Sequence, residues 1–179
     1  MIRAFLVGAA VVTLTACGSH ASSIRLTPDG HIGPLRMGVS TTAAVVAFLG
    51  EPDAERHDHN ITLGYDCRAG DGWRLTTRGP TCNTVYWIVA STGRLGDFYT
   101  RDPRYELQGV RVGTGSATAE RLLHKRLYDG CEADLFAGRA AVEFVDGHDV
   151  HQANGSLHVV GAHVHALAVN GNAGIFDCL

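Results

Sequence analysis

LRMGVSTTAAVVAF, from Leu35 to Phe48, aligns without a gap with VRVGTGSATAERLL, from Val110 to Leu123, which begins 75 residues further along the chain. Arg, Gly and one Ala recur in register, and apolar residues match at both ends. A period of 75 residues is too long for a solenoid but indicates an internal duplication. The duplication predicts two tandem repeats of similar structure, at 24–107 and 108–179.

Each copy has the same order of local signals. A short extended segment leads to Gly38 or Gly113, a Ser or Thr then offers an N-cap, and an apolar helix follows until Gly50 or Gly130 ends it. Strand-like runs come next, separated by Gly, Asp and Asn turns. These runs are Ile61–Cys67, Trp73–Thr77, Val85–Ala90, Ala140–Val145, Leu157–Val160 and His163–Val169. The predicted fold class is therefore α+β, with a helix or helical hairpin packed on one face of an antiparallel sheet in each repeat.

Two stretches carry a family resemblance. GPLRMG at Gly33–Gly38, followed by LGEP at Leu49–Pro52, resembles the opening of many secreted actinobacterial proteins, and Tyr105–Thr114 resembles the linker that begins their second repeat. These proteins form a loose group with the outer-membrane assembly lipoproteins of the SmpA/OmlA type and the secreted β-lactamase inhibitor proteins. The resemblance implies a two-layer fold, with helices on one face of an antiparallel sheet, that serves as a protein-binding module. No contact residue of the inhibitors can be matched in this chain.

The N-terminus has the pattern of an exported protein. Ala4–Leu14 is an apolar run of eleven residues after Arg3, which is shorter than the roughly 20 residues that cross a bilayer and is typical of a signal peptide. Leu14-Thr15-Ala16-Cys17 matches the lipobox of diacylglyceryl-modified lipoproteins. That resemblance implies a signal peptide at 1–16, thioether lipidation of Cys17 and a lipidated tether at 17–23. The alternative is an ordinary secretory peptide with an incidental cysteine.

The charge of the mature chain excludes one class of partner. Without residues 1–16, 163 residues remain, and 14 basic residues stand against 18 acidic ones. A net negative chain has no electrostatic basis for binding nucleic acid. We expect the partners to be the membrane, through the lipid on Cys17, and another envelope or secreted protein.

Four cysteines remain once Cys17 carries lipid, namely Cys67, Cys82, Cys131 and Cys178. An even number in an exported chain predicts two disulfides. No C-x-x-C spacing is present, which argues against a thioredoxin-like site or a zinc ribbon. Of the three possible connectivities we favour the pairs within each repeat, Cys67 with Cys82 and Cys131 with Cys178.

Histidines are dense in the second repeat. His148, His151, His158, His163 and His165 fall within 18 residues, and the last two would share one face of a strand. Such a pair could begin a Zn²⁺ or Cu²⁺ site. No Cys, Asp or Glu completes a recognisable ligand set, so we predict partly buried, hydrogen-bonded histidines and no metal or cofactor. A metal-binding or pH-responsive envelope protein that uses this cluster is the alternative function.

Aromatic residues are concentrated in the first repeat. Seven of the 13 aromatics lie between residues 65 and 105, and such side chains often anchor protein interfaces. Alternation along Val85–Val89 sends Val85 and Trp87 one way and Tyr86 the other; we predict that Tyr86 faces outward. Tyr86 and Tyr99 are therefore the candidate partner-binding residues. The alternative is that all seven aromatics fill a small core.

The sequence offers no recognisable catalytic arrangement. It contains no G-x-S-x-G elbow and no H-E-x-x-H helix, and disulfide pairing would leave no cysteine free as a nucleophile. The function predicted from the sequence is thus a lipid-anchored, non-catalytic protein-binding or envelope-assembly module that lies outside the cytoplasm.

The lipid anchor can be tested directly. Cys17→Ala removes the only sulfur in the lipobox, so the variant should be released to the medium or accumulate as an uncleaved precursor. Membrane fractionation and gel mobility of the full-length chain measure both effects. A variant that fractionates and migrates like the wild type would contradict the lipoprotein prediction.

Overall fold

The computed structural model describes residues 23–68, 72–75, 81–125, 134–146, 148–151 and 157–170; for 134–136, 148–151 and 157–160 it describes the backbone only. Strands dominate these residues. The strands are β1 (Ile24–Leu26), β2 (His31–Ile32), β3 (Leu35–Arg36), β4 (Ala54–His57), β5 (Asn60–Arg68), β6 (Trp73–Arg74), β7 (Thr81–Val89), β8 (Arg94–Thr100), β9 (Tyr105–Leu107), β10 (Asp134–Ala137), β11 (Ala140–Val145), β12 (His148–His151), β13 (Leu157–Val160) and β14 (His163–Asn170). The two helices of the described ranges are α1 (Thr42–Leu49) and α2 (Ser116–Leu123).

One large sheet joins the two halves of the chain. Its order is β10-β11-β14-β8-β7-β5-β4, and β6 pairs with β7 off this path. Strand β14 lies antiparallel to β8, with Leu167 opposite Thr100 and Val169 opposite Phe98. The strands of the second half therefore extend the sheet of the first half.

A smaller sheet closes one side of the core. Its order is β3-β2-β1-β9, and β1 runs parallel to β9, with Ile24 opposite Tyr105 and Leu26 opposite Leu107. A parallel pair needs a long connection between its strands, and here that connection comprises β2, β3, α1 and the strands β4 to β8. Strands β12 and β13 form a separate antiparallel pair.

Both helices are short, and their ends partly match the sequence prediction. Thr41 caps α1, because its hydroxyl accepts a hydrogen bond from the Ala44 amide at 3.4 Å, and Gly50 ends the helix as predicted. Helix α2 starts after Gly115, which provides no side-chain cap. It ends at Leu123, with His124 in a left-handed conformation, so the prediction that it continues to Gly130 is wrong.

The prediction of an α+β fold with tandem helix-plus-sheet repeats is wrong. The described residues are mostly strand, each helix has only eight residues, and the strands lie in a large shared sheet and smaller separate ones. The repeated sequence motif encodes a turn and a helix start, which are local features. It does not encode which strands pair, because pairing depends on side chains far apart in sequence.

An aromatic cluster fills the centre of the main core. Tyr86, Phe98 and Tyr105 are almost fully buried, with ring centroids 4.8 Å apart between the first two and 5.2 Å between the last two. The hydroxyls of Tyr86 and Tyr105 hydrogen-bond each other at 3.0 Å. Tyr65 meets Tyr86 edge-on at 5.9 Å. The hydroxyl pair satisfies two buried polar groups that would otherwise destabilise the core.

The buried tyrosines should make the fold sensitive to alkali. Burial raises the pKa of Tyr105 from 10.0 to about 12 and that of Tyr86 well above its ordinary value. The unfolded chain therefore loses these protons first, so stability is intact below about pH 10 and falls as the pH rises toward 12. For one buried tyrosine, a pKa shift of two units corresponds to a loss of on the order of 2 to 3 kcal/mol in the free energy of unfolding at high pH.

Urea unfolding of the wild type at pH 8 and near pH 11.5 measures this loss. The double variant Tyr86→Phe, Tyr105→Phe removes both hydroxyls of the pair and should show a smaller alkaline loss than the wild type. Either single variant leaves one buried hydroxyl unpaired and should cost about 1 to 3 kcal/mol at pH 8. If the wild type and the double variant lost equal stability between pH 8 and pH 11.5, the two buried tyrosines would not be the cause of the sensitivity to alkali.

Candidate functional site

The large sheet has an inner and an outer face, and β7 contributes to both. Tyr86 and Ile88 are fully buried in the main core, on the inner face. Val85 belongs to a second, smaller cluster, against which Trp87 packs. The predicted alternation is therefore correct, but its direction is wrong: Tyr86 faces inward, so it is not accessible to a partner.

Three aromatic side chains and one arginine form what we term the outer patch: Trp73, Trp87, Tyr99 and Arg101. The rings of Trp73 and Trp87 meet edge to face, with centroids 5.2 Å apart, and Trp73 lies 5.5 Å from Tyr99. Trp73 is 45% exposed, and Trp87 and Tyr99 are half-buried. Edge-to-face geometry is favourable for aromatic pairs, so the rings hold one another in place while one of them faces solvent.

Tyr99 has polar partners at the edge of the patch. The Arg101 Nε donates a hydrogen bond to the Tyr99 hydroxyl at 3.1 Å, and the guanidinium carbon lies 5.9 Å from the centre of the Tyr99 ring. Burial raises the pKa of Tyr99 to about 12 despite this arginine, and the nearby Glu143 carboxylate acts in the same direction. Tyr99 is therefore a neutral phenol at physiological pH.

A disulfide supports the patch from below. Cys67 and Cys82 are bonded, as predicted, and Cys82 packs with Leu75 and Val85 in the cluster that also contacts Trp87. Gly64 lies directly beside the bond: a Cβ there would come within 2.6 Å of the Cys82 Sγ. Only glycine leaves room for the sulfur at this position, so the local sequence and the disulfide depend on each other.

Strand β6 places Trp73 at the patch. Trp73 is opposite Cys82 in the ladder between β6 and β7. The Leu75 carbonyl, just after β6, accepts a hydrogen bond from Arg56 Nη1 at 2.7 Å. These contacts connect β6 to β7 and to the edge strand β4. They hold β6 in position, although it has only two residues.

Other predicted site residues lie outside the described residues. Cys17, Cys131 and Cys178 are among them, so lipidation and the second disulfide stay predictions. The same holds for the side chains of three of the clustered histidines, His148, His151 and His158.

The two described histidines of the cluster lie on β14. His163 is exposed and His165 half-buried, on either side of the buried Val164. Within the described ranges, no group of three or more His, Cys, Asp or Glu side chains is arranged to hold a metal ion. The same part of the chain contains no helix with the length and apolar character needed to span a membrane.

Of the two candidate partner-binding tyrosines, only Tyr99 lies in the outer patch. Trp73, Trp87 and Arg101 were not among the candidate site residues. The alternation along β7 could have identified Trp87, because it lies on the opposite face from Tyr86. The same spacing of two residues relates Arg101 to Tyr99. Trp73 could not be found this way, since its proximity to Tyr99 follows from the pairing of β6 and β8 with β7.

The disulfide should stabilise both the fold and the patch. Its cysteines are 15 residues apart, and closing a loop of that length stabilises by about 3 kcal/mol through the unfolded chain. Cys67→Ala with Cys82→Ala should therefore lower the melting temperature and shift tryptophan emission to the red, because Trp87 packs against this cluster. Scanning calorimetry and fluorescence measure the two effects. An unchanged melting temperature would contradict the role of the disulfide.

Comparison with known proteins supports the fold alone. No family model and no curated protein sequence matches the chain. Among solved structures, the crystal structure of the uncharacterized protein yfeY from Escherichia coli is similar, with a TM-score of 0.51 and 10% sequence identity. The match covers 83% of this chain and 99% of that one. The architecture of this chain is thus similar to that of a solved but uncharacterized protein.

Proposed function

We propose that this chain is a lipid-anchored cell-envelope protein that acts as a non-catalytic protein-binding module, and that it binds through the outer patch. The observation that carries the proposal is Trp73, a large apolar side chain that is 45% exposed and packs against the rings of Trp87 and Tyr99. Tryptophan, tyrosine and arginine are the residue types most enriched among side chains that dominate binding energy. The outer patch combines all three types.

The patch is supported by the fold before any partner binds. Its three aromatic residues lie on paired strands, and Trp87 packs against the cluster that contains Leu75 and the Cys67–Cys82 disulfide. A surface that is already ordered loses less conformational entropy on binding. Preorganisation of this kind supports a binding role more strongly than aromatic content alone.

The chemistry around the patch indicates the kind of partner. Arg101 lies beside Tyr99, and the carboxylate of Glu143 is also close to the Tyr99 hydroxyl. An apolar or aromatic side chain of a partner would pack on Trp73, and a polar group next to it would bond to Arg101. We therefore expect a protein segment in which polar residues flank an apolar anchor.

Export is supported by two independent features. The lipobox at Leu14–Cys17 is the sequence signal, and a disulfide between Cys67 and Cys82 suits an oxidising compartment outside the cytoplasm. The resemblance to envelope assembly lipoproteins and secreted inhibitors agrees with this location. The proposal thus combines an anchor at the N-terminus with a binding surface on the sheet.

Photo-crosslinking in the cell tests the binding surface. A photoreactive residue in place of Arg101, at the edge of the outer patch, should give a discrete crosslinked product, whereas the same residue in place of His124, which is exposed at the end of α2, should not. Mass spectrometry of the product identifies the partner, and its affinity for the purified chain can then be measured.

Trp73→Ala should weaken that affinity at least about tenfold, the range expected for an anchor residue at an interface. Val39→Ala is the matched control, because Val39 is the other exposed large apolar side chain of the described residues, at 51%. Equal affinities for Trp73→Ala and wild type, with both folded by circular dichroism, would contradict the proposal.

A further inference from the structure

Helix α1 is apolar on its exposed side as well as on its buried side. No charged residue occurs between Arg36 and Glu51. Val45 is fully buried in the main core, whereas Ala43 and Ala47 are exposed, as is Val39 in the turn before the helix. A helix on the surface of a globular domain ordinarily presents polar residues to water. The apolar face formed by Val39, Ala43 and Ala47, which we term the α1 face, therefore requires an explanation.

Helix α2 shows that this property is not general for the fold. It has the same length as α1, but its sequence includes Glu120 and Arg121, and Thr118 lies on its exposed side. The two helices start in related sequence motifs, yet only α1 lacks charge. The difference is therefore specific to the surface around α1.

The N-terminal tether begins beside α1. The side chains of Ile24 and Phe48 both lie beside Gly33. A Cβ atom added to Gly33 would be 3.0 Å from Phe48 Cζ and 3.3 Å from Ile24 Cγ2. Ile24 is also fixed by its amide, which donates to the Arg104 carbonyl at 2.8 Å. The described chain thus begins next to the C-terminal turn of α1.

The tether is too short to hold the domain away from a membrane. Six residues, Gly18–Ser23, separate Cys17 from Ile24, and they reach roughly 20 Å when fully extended at 3.3 to 3.6 Å per residue. An α-helix of eight residues is itself about 12 Å long. The surface of α1 therefore lies within the reach of a lipid on Cys17.

Charged side chains lie at both ends of the α1 face. Arg36 and Arg94 are exposed near its N-terminal end, and Arg94 Nη1 is held there by donating to the Val39 carbonyl at 2.6 Å. Glu51 and Asp53 are exposed past the other end of the helix. The two arginines can pair with the anionic headgroups of a bilayer when the apolar face rests on it.

We infer that the α1 face rests on the lipid bilayer that holds the Cys17 anchor. The inference rests on the proposed lipidation and adds an orientation to it. Helix α1 packs through Val45 on the inner side of the large sheet, whereas Trp73 and Trp87 belong to the outer patch on the opposite side. In this orientation the bilayer contacts one side of the domain and the outer patch points away from it.

Quenching by brominated lipids tests this orientation on the full lipidated chain. The protein is reconstituted in vesicles of phosphatidylcholine and phosphatidylglycerol, with or without bromine on the upper acyl chain. Ala43→Trp places an indole on the α1 face, and Ala117→Trp places one at an equally exposed alanine of α2. The emission of Trp73 and Trp87 in the wild type provides the background.

We expect brominated lipid to remove the added emission of Ala43→Trp and to leave that of Ala117→Trp and of the wild type unchanged. Unquenched Ala43→Trp in vesicles, or emission of this variant that depends on protein concentration instead of lipid bromination, would overturn the inference; the latter would assign the α1 face to a second copy. Mass spectrometry of the N-terminus shows independently whether Cys17 carries lipid. A chain without lipid on Cys17 contradicts the proposed anchor itself, whereas a lipidated chain with unquenched Ala43→Trp contradicts only the orientation.

Discussion

The pairing of β14 with β8 is the constraint on which the rest of the structure depends. It brings strands from the two halves of the chain into one sheet, with Ala168 opposite Tyr99 and Val169 opposite Phe98. A shift of one residue would exchange the two faces of β14. It would send Val169 out of the core that it shares with Phe98, and Ala168 would no longer lie beside Tyr99. The register of this single ladder thus helps to shape both the core and the outer patch.

Features that depend on nearby residues could be predicted from the sequence. Strands β11 and β13 have the predicted bounds, α1 begins after Thr41 and ends at Gly50, and Cys67 bonds to Cys82. The strand bounds follow from a period of two and the helix ends from caps, whereas the disulfide was predicted because both cysteines lie in the same repeat of the sequence. None of them requires knowledge of the partner strand.

Features that depend on residues far apart in the sequence could not be predicted. Strand β8 was not predicted, because Gly96 and Asp97 interrupt its pattern at a bulge; Gly96 fits there since a Cβ would come within 2.6 Å of Val89. The predicted direction of the Tyr86 side chain is wrong for a related reason. Alternation separates the two faces of a strand but does not say which one is buried, and here both faces of β7 pack against apolar side chains.

The parallel pair of β1 and β9 has a consequence for the order of folding. Strand β1 is at the start of the described chain, but its partner ends at Leu107, and the amide of Ile24 is bonded to the Arg104 carbonyl. A chain that emerges from a membrane N-terminus first would present β1 long before β9 exists. Contacts between such distant segments form slowly, because the loop between them must first be closed. The ladder between β1 and β9 is therefore among the last to form, although β1 can pair with the nearby β2 much earlier.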